Sequence, residues 1–493
     1  MAVTLLDLPA TIMEGIAKLL CPHCHPRPKE KIENHSICCS LRCWVPATLA
    51  DRKGLASLCR ANKALHALAT RYLYHQPHPC VLGNVKTMSR LYRTITSRRP
   101  ELAKCIKSVN VEMPGNATQT FGTQDGSRFL YANLPALFAA SCPGLEELCV
   151  RHMTDTELMT ETLPSLPFPP AGSLPRLRAL HVCSYGAGFM GIKDLVPLLS
   201  TAPGLTSLSI DSLVEKEVLE HADLPVMADL RELALFYCEL NVPLLDFVLR
   251  RCPALERLTV HDLVCNREDA HPSDVWRTTP QALADTIVDA APGLRFLRLR
   301  LKRDAWPGAR WSDRSFSRDE RFRSLKGLHH LEELRLDYGS MWAPSTIYWP
   351  EEEEEHEGEH EDGESQDGQG FGDLNPDTDG DDDDDGGEGE AEEYEDALGQ
   401  FTNLLPRPIR LVHWEGMGLP IPAALKALTE RCGDEYPSLK VLHVHRKKCE
   451  LEVVPTYKLH EYLRDIKDAL AGVDIELRLK DWSWKWGRPQ PEA

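Results

Sequence analysis

The chain has 493 residues, 42% hydrophobic and 27% charged, with a formal net charge of −19. That is the composition of a globular protein with room for more than one domain. No run of about 18 apolar residues occurs, which excludes a membrane-spanning helix. The start lacks the basic stretch, apolar run and cleavage site of a secretory signal.

The acidity is local. Residues 351–396 hold 25 Asp and Glu and no Lys or Arg, and the rest of the chain carries +6. The 16 cysteines are scattered. Cys59, Cys149, Cys183 and Cys238 stand where a buried apolar residue is expected, as suits a free thiol. The expected compartment is reducing, cytoplasmic or nuclear, without a disulfide framework.

Residues 1–80 read as helical, with a Cys-rich insertion at 21–50. "TLLDLPATIMEGIAKLL" places Leu5, Leu8, Ile12, Ile16 and Leu19 near helical spacing. "DRKGLASLCRANKALHALATRYLYHQPH", residues 51–78, does the same with Leu55, Leu58, Cys59, Leu65, Leu68, Ala69, Leu73 and Tyr74. Asp51 is the expected N-cap. Residues 81–104 are a connecting segment with a helix expected over 84–98.

The insertion holds "CPHCH" (21–25) and "CCSLRC" (38–43). Cys21, Cys24, Cys39 and Cys43 give C-x2-C-x14-C-x3-C, and Cys38 in place of Cys39 gives C-x2-C-x13-C-x4-C. Structural zinc takes four soft ligands in a tetrahedron, and a C-x2-C knuckle supplies two from one side. His23, His25 and His35 are spare donors. A structural zinc is therefore a candidate cofactor, and a loop with free thiols is the alternative.

From about residue 105 a pattern L-x-x-L-x-[LVI] recurs. It appears as "PGLEELCV" (143–150), "PRLRALHV" (175–182), "PGLTSLSI" (203–210), "ADLRELAL" (228–235), "PALERLTV" (253–260), "PGLRFLRL" (292–299), "HHLEELRL" (329–336) and "PSLKVLHV" (437–444). "KCIKSVNV" (104–111) and "RPIRLVHW" (407–414) fit with substitutions, which makes ten copies. From Leu145 to Leu331 the first leucines are 32, 28, 25, 25, 39 and 37 residues apart. The last two apolar positions lie two apart and face one side of a strand. One such unit cannot bury its own face, so neighbouring units must share a core. The x positions, among them Glu147, Arg178, Ser207, Glu232, Arg257, Arg298, Glu333 and Lys440, are the candidate ligand face. Their mixed charge names no ligand.

The copies resemble the leucine-rich-repeat family, in its longer and irregular versions with a helix on the convex side. The expected fold is α/β: an irregular leucine-rich-repeat solenoid preceded by a small all-α F-box-like region. The solenoid is expected over 105–350, and the final repeats and a C-terminal cap over 397–493. Between them, 351–396 is expected to be a disordered acidic insert, because it lacks apolar residues and repels itself. Trp482, Trp484 and Trp486 in "DWSWKWG" are the expected cap over the last repeat.

The N-terminal segments resemble the F-box, particularly the divergent F-boxes of filamentous fungi. The resemblance rests on Leu8-Pro9, on the amphipathic helix with Ile12 and Ile16, and on "LASLCRANKALHALATRYLYH". It implies docking on a Skp-type adaptor, and through it on a cullin ubiquitin ligase, with the repeats selecting a protein substrate. By that analogy Leu8, Pro9, Ile12, Ile16, Leu55 and Leu58 lie near the adaptor. About 30 residues separate the first two helices, where the family has a short loop.

No nucleotide-binding glycine loop, nucleophile elbow or H-E-x-x-H is found. No catalytic residue is therefore assigned, and the chain is read as a non-enzyme. The basic run 90–107 lacks interleaved aromatics, so a nucleic-acid partner is not expected. The alternative to a ligase subunit is a protein-interaction scaffold with no ligase role.

Overall fold

A computed structural model describes residues 8–21, 23–24, 52–77, 90–113, 141–153, 171–185, 192–213, 224–238, 241–264, 279–302, 324–337, 404–415, 434–445 and 473–480. It adds isolated positions at Phe322, Leu428, 431–432, Arg464, Asp468 and Leu470. The expected cap at Asp51, the insert 351–396 and the tryptophans 482, 484 and 486 lie outside the described residues.

Each copy of the pattern becomes one strand: β1 (Ser108–Met113), β2 (Glu147–Met153), β3 (Ala179–Tyr185), β4 (Ser207–Asp211), β5 (Glu232–Phe236), β6 (Arg257–Val264), β7 (Phe296–Lys302), β8 (Glu333–Asp337), β9 (Leu411–Glu415) and β10 (Val441–His445). An eleventh, β11 (Glu476–Lys480), follows. All neighbours pair in parallel, in the order β1 to β11 without reversal. Among the described strands there is thus no switch point of the kind that opens a ligand crevice in doubly wound sheets.

Three described helices alternate with strands: α3 (Ile192–Thr201), α4 (Val242–Arg250) and α5 (Pro280–Ala290). Two are capped by side chains. Asn241 Oδ1 accepts from Leu244 N at 2.8 Å and Thr279 Oγ1 from Ala282 N at 3.1 Å, with proline in the first turn of each helix. Two helices precede the sheet, α1 (Ala10–Leu19) and α2 (Lys63–Leu73), with a helical run over 52–61 between them.

The core follows from the pattern. The leading residue of each copy is buried and lies just before its strand, closing a turn back to a second buried residue. Leu145 N donates to Cys142 O at 3.0 Å, and Leu255 N to Cys252 O at 3.1 Å. The two apolar strand positions face the same side, such as Leu208 with Ile210 and Leu258 with Val260. They join one cluster that runs from Ile95 to Leu470. Cys149, Cys183 and Cys238 are buried thiols, while Cys59 is half-buried.

The carbonyl before each strand ties the units together. Glu146 O accepts from Arg178 N and Ala179 N, and Thr206 O from Arg231 N and Glu232 N, at 2.8–3.0 Å. Gly144 serves the approach of the β2 unit to the β1 unit, where Lys107 O accepts from Glu146 N and Glu147 N. A Cβ there would sit 2.9 Å from Lys104 O, closer than carbon packs against a carbonyl. Gly144→Ala is expected to lower stability by about 1 kcal/mol, because the rigid backbone must move. Denaturant titration checks this, and an unchanged midpoint would show that β1 and β2 can separate without cost.

This architecture corrects the expectation of an irregular leucine-rich-repeat solenoid preceded by a small all-α F-box-like region. The described chain is an α/β fold built on one all-parallel sheet of eleven strands with alternating helices. Backbone pairing is what organises it. Register is one-to-one along the sheet, apart from a shift between His261 and Leu263. The uneven spacing of 25 to 39 residues is therefore absorbed outside the strands. Nor do the first helices stand ahead as a separate all-α unit. His75 O, two residues beyond α2, accepts from Lys107 N at 2.8 Å and Ser108 N at 2.9 Å. It makes the same double acceptance as the carbonyls inside the sheet.

Two helix boundaries also differ from expectation. The segment 51–78 is broken at Asn62, whose extended backbone and Oδ1, accepting from Leu65 N at 3.0 Å, start α2. The connecting helix is helical over 90–93 and then widens into a π turn, Thr94–Arg98, followed by a 3-10 turn, Pro100–Cys105.

Candidate functional site

Three surfaces bear on function: the exposed side of α1, the Cys/His cluster at its end, and the polar face of the sheet.

α1 starts at Pro9 with no side-chain cap. It buries Ala17, which forms a small second core with Cys21, Leu55, Ala69 and Tyr72. The Tyr72 hydroxyl donates to Glu14 Oε1 at 2.7 Å and ties α1 to α2. That bond, with Lys18 at 3.6 Å, holds the Glu14 carboxyl below its usual range. Burial, and then Glu14, push the Tyr72 phenol up to about 12.

The six expected adaptor residues divide. Pro9 and Ile12 are exposed, Ile12 by 48%. Leu8, Ile16 and Leu58 are half-buried. Leu55 is fully buried in the second core, so it holds the helices together and offers no surface. Leu19, at 66% exposed, belongs to the open face, and its place in the apolar spacing of α1 already pointed to it.

Cys21 and Cys24 follow α1 on a tight turn, with Cys21 N donating to Lys18 O at 3.1 Å and Cys24 N to Cys21 O at 3.0 Å. His75 arrives from the end of α2. Its Nδ1 lies 3.4 Å from Cys24 Sγ and 3.7 Å from Cys21 Sγ, and all three donor atoms are within 4.8 Å of one another. A tetrahedral zinc with bonds of about 2.3 Å to sulfur and 2.0–2.1 Å to nitrogen separates S from N by about 3.6 Å. The two S–N distances straddle that value, so these residues fit the ion. Two of the four expected ligands, Cys21 and Cys24, are thus brought together. Cys39 and Cys43, with Cys38, His25 and His35, lie outside the described residues. His75 carries no local motif and is 51 residues from Cys24, so nothing in the spacing could find it.

Burial, and then Cys21 beside it, push the Cys24 thiol up to about 12. Burial, and then the charges of His23 and Lys107, pull the His75 imidazole down to about 4. His23 sits alongside, with Nδ1 3.8 Å from Cys24 Sγ and Nε2 3.8 Å from Glu146 Oε2.

The polar face carries rows that cross the whole sheet. Asn110, Cys149, His181, Ser209, Ala234, Thr259, Arg298, Arg335, His413, His443 and Arg478 pair in that order, one per strand. The first six are neutral or titratable, and the last five are Arg or His. The x positions of the repeat pattern fall in mixed registers. Glu147, Ser207, Glu232, Arg257 and Glu333 share the preceding row, Arg298 lies in the row above, and Arg178 and Lys440 precede their strands. The signal that finds the basic row is the x between the last two apolar positions of each copy.

This face is unevenly open. Arg298, His413, His261 and Ser209 are each 3% exposed, whereas Glu232 and Arg478 have side chains 52% exposed. Phe296 lies under the Arg257 guanidinium at 3.9 Å and that of Arg335 at 5.3 Å. The His413 and His443 rings are 4.6 Å apart. On the flank of the sheet, Glu256, Arg295, His329, His330 and Glu332 line an open depression. There Arg295 Nε donates to Glu332 at 2.9 Å, and Arg231 pairs with Glu256 at 2.8 Å. Those carboxylates are committed to arginines, a poor start for proton transfer. Among the described residues no helix is long and apolar enough to cross a membrane.

No family model matches the chain, and no curated protein matches it.

Proposed function

We propose that the protein is the substrate-binding subunit of a ubiquitin ligase of the Skp–cullin–F-box type and carries no catalytic residue of its own. In this reading α1 and the run 52–61 dock the adaptor, and the polar face of the sheet takes a protein substrate.

The observation that carries the reading is the outer side of α1. Four large apolar side chains are exposed among the described residues, and Ile12 and Leu19 on this one ten-residue helix are two of them. Half-buried Ile16 lies on the same side of the helix, one turn from Ile12. An apolar face concentrated on one short helix is what a partner helix or groove covers. The likeness of "LP" and the following helix to an F-box names the adaptor as that partner.

Co-purification of the full-length protein with a Skp-type adaptor tests this, beside the double variant Ile12→Asp, Leu19→Asp. Both positions are exposed, so the variant keeps its fold. Two charges placed in an apolar contact are expected to weaken binding at least about tenfold, or about 1.4 kcal/mol. No retention of folded wild type, or equal retention of the variant, would sink the ligase reading and favour a scaffold that uses the sheet alone.

A further inference from the structure

We propose that Cys21, Cys24 and His75 bind one structural zinc ion, which fastens the end of α1 to the edge of the parallel sheet. The inference does not depend on the adaptor reading.

Three observations converge. The first is donor chemistry. Two thiols and an imidazole are soft and borderline donors that select zinc over magnesium or calcium. The second is geometry. The knuckle turn at Cys21 and Cys24 presents both sulfurs to one side, and His75 Nδ1 faces them at 3.7 and 3.4 Å, the edge lengths of a zinc tetrahedron. Cys21 is fully buried, and Cys24 and His75 are half-buried. Among the described residues, His23 Nδ1 is a further donor, 3.8 Å from Cys24 Sγ. Its Nε2 is turned toward Glu146, as the second nitrogen of a zinc-bound imidazole turns to a carboxylate.

The third observation is the position of His75 in the fold. Its side chain meets the thiols while its carbonyl accepts from Lys107 N and Ser108 N at the start of β1. One residue therefore joins the metal donors to the first rung of the sheet. The second core, with Ala17, Cys21, Leu55, Ala69 and Tyr72 as its buried residues, is small. A metal crosslink supplies the ordering that so few buried side chains do not. On loading, each thiol gives its proton to solvent, and neutral His75 contributes a lone pair.

The test uses the full-length protein, equilibrated with zinc and freed of excess. One zinc per chain is expected by elemental mass spectrometry. X-ray absorption should find two sulfur and two nitrogen or oxygen neighbours. His75→Ala should weaken zinc binding at least about a hundredfold in a chelator competition. His75→Cys should keep the ion and raise the sulfur count to three. Chelation of wild type should lower its thermal midpoint. Failure of wild type to retain zinc would overturn the proposal. So would a shell of four sulfurs, which assigns the ion to other cysteines, or full affinity in His75→Ala. The wild-type absorption spectrum decides the ligand set even if a variant misfolds.

Discussion

Replacing Leu258 with alanine is expected to lower the unfolding free energy by about 2–5 kcal/mol. Leu258 is fully buried on β6, in register with Leu233 on β5 and Leu297 on β7, both also fully buried. The substitution removes three carbons from the middle of the row. The neighbours cannot close the gap, because each is held at its height by strand pairing on both sides. The lost transfer energy and the cavity therefore add. Denaturant unfolding of the full-length protein reads the change. Ile12→Ala serves as the control, since an exposed side chain should alter stability by less than about 0.5 kcal/mol. A loss under about 1 kcal/mol for Leu258→Ala would mean that the strands do not share one continuous core.

Arg52→Met is the second large effect, at about 1.5–3 kcal/mol. Arg52 lies on the helical run 52–61, and its guanidinium donates to Gln76 O and, at 3.3 Å, to Leu73 O. Leu73 is the last residue of α2 and Gln76 lies three beyond it, where the helix supplies no donor to either carbonyl. Burial pulls the Arg52 pKa down, the mark of a charge held away from water and compensated by fixed acceptors. Methionine keeps the stem and its packing but strands two carbonyls. Faster hydrogen exchange at the amides of 73–76, with a lower thermal midpoint, is the expected signature. Unchanged exchange would show that water already satisfies these carbonyls.

Much of the sheet was legible in the chain because its unit is local. In L-x-x-L-x-L, a strand must follow wherever two apolar residues alternate after a buried leader. The ten copies mark β1 to β10. The eleventh strand escaped the pattern for a physical reason. Val473 closes the same turn onto Leu470 O as the leaders before it, but it stands four residues ahead of Leu477 instead of three. Ile475 N donates to Val473 O at 2.8 Å and takes up the extra residue. The break at Asn62 was also written locally, as an N-cap residue inside a helical run.

The site was only half legible. The pair Cys21 and Cys24 shows itself by spacing, because a knuckle is a turn of four residues. Its partner His75 does not, since it is delivered by a helix end that packs from 51 residues away. Leu55 fits the helical spacing as well as Ile12 does, yet one is buried and the other exposed. Spacing records that an apolar face exists, and only packing decides which side of it is covered. Composition and periodicity alone determined the alternation of the strands, the buried leaders and the acidic tract. Tertiary structure decided that the strands join one eleven-stranded parallel sheet, that the N-terminal helices are bonded to its edge through His75, and which donors meet around one point. Those outcomes rest on backbone pairing and on contacts between distant segments, and no local pattern encodes them.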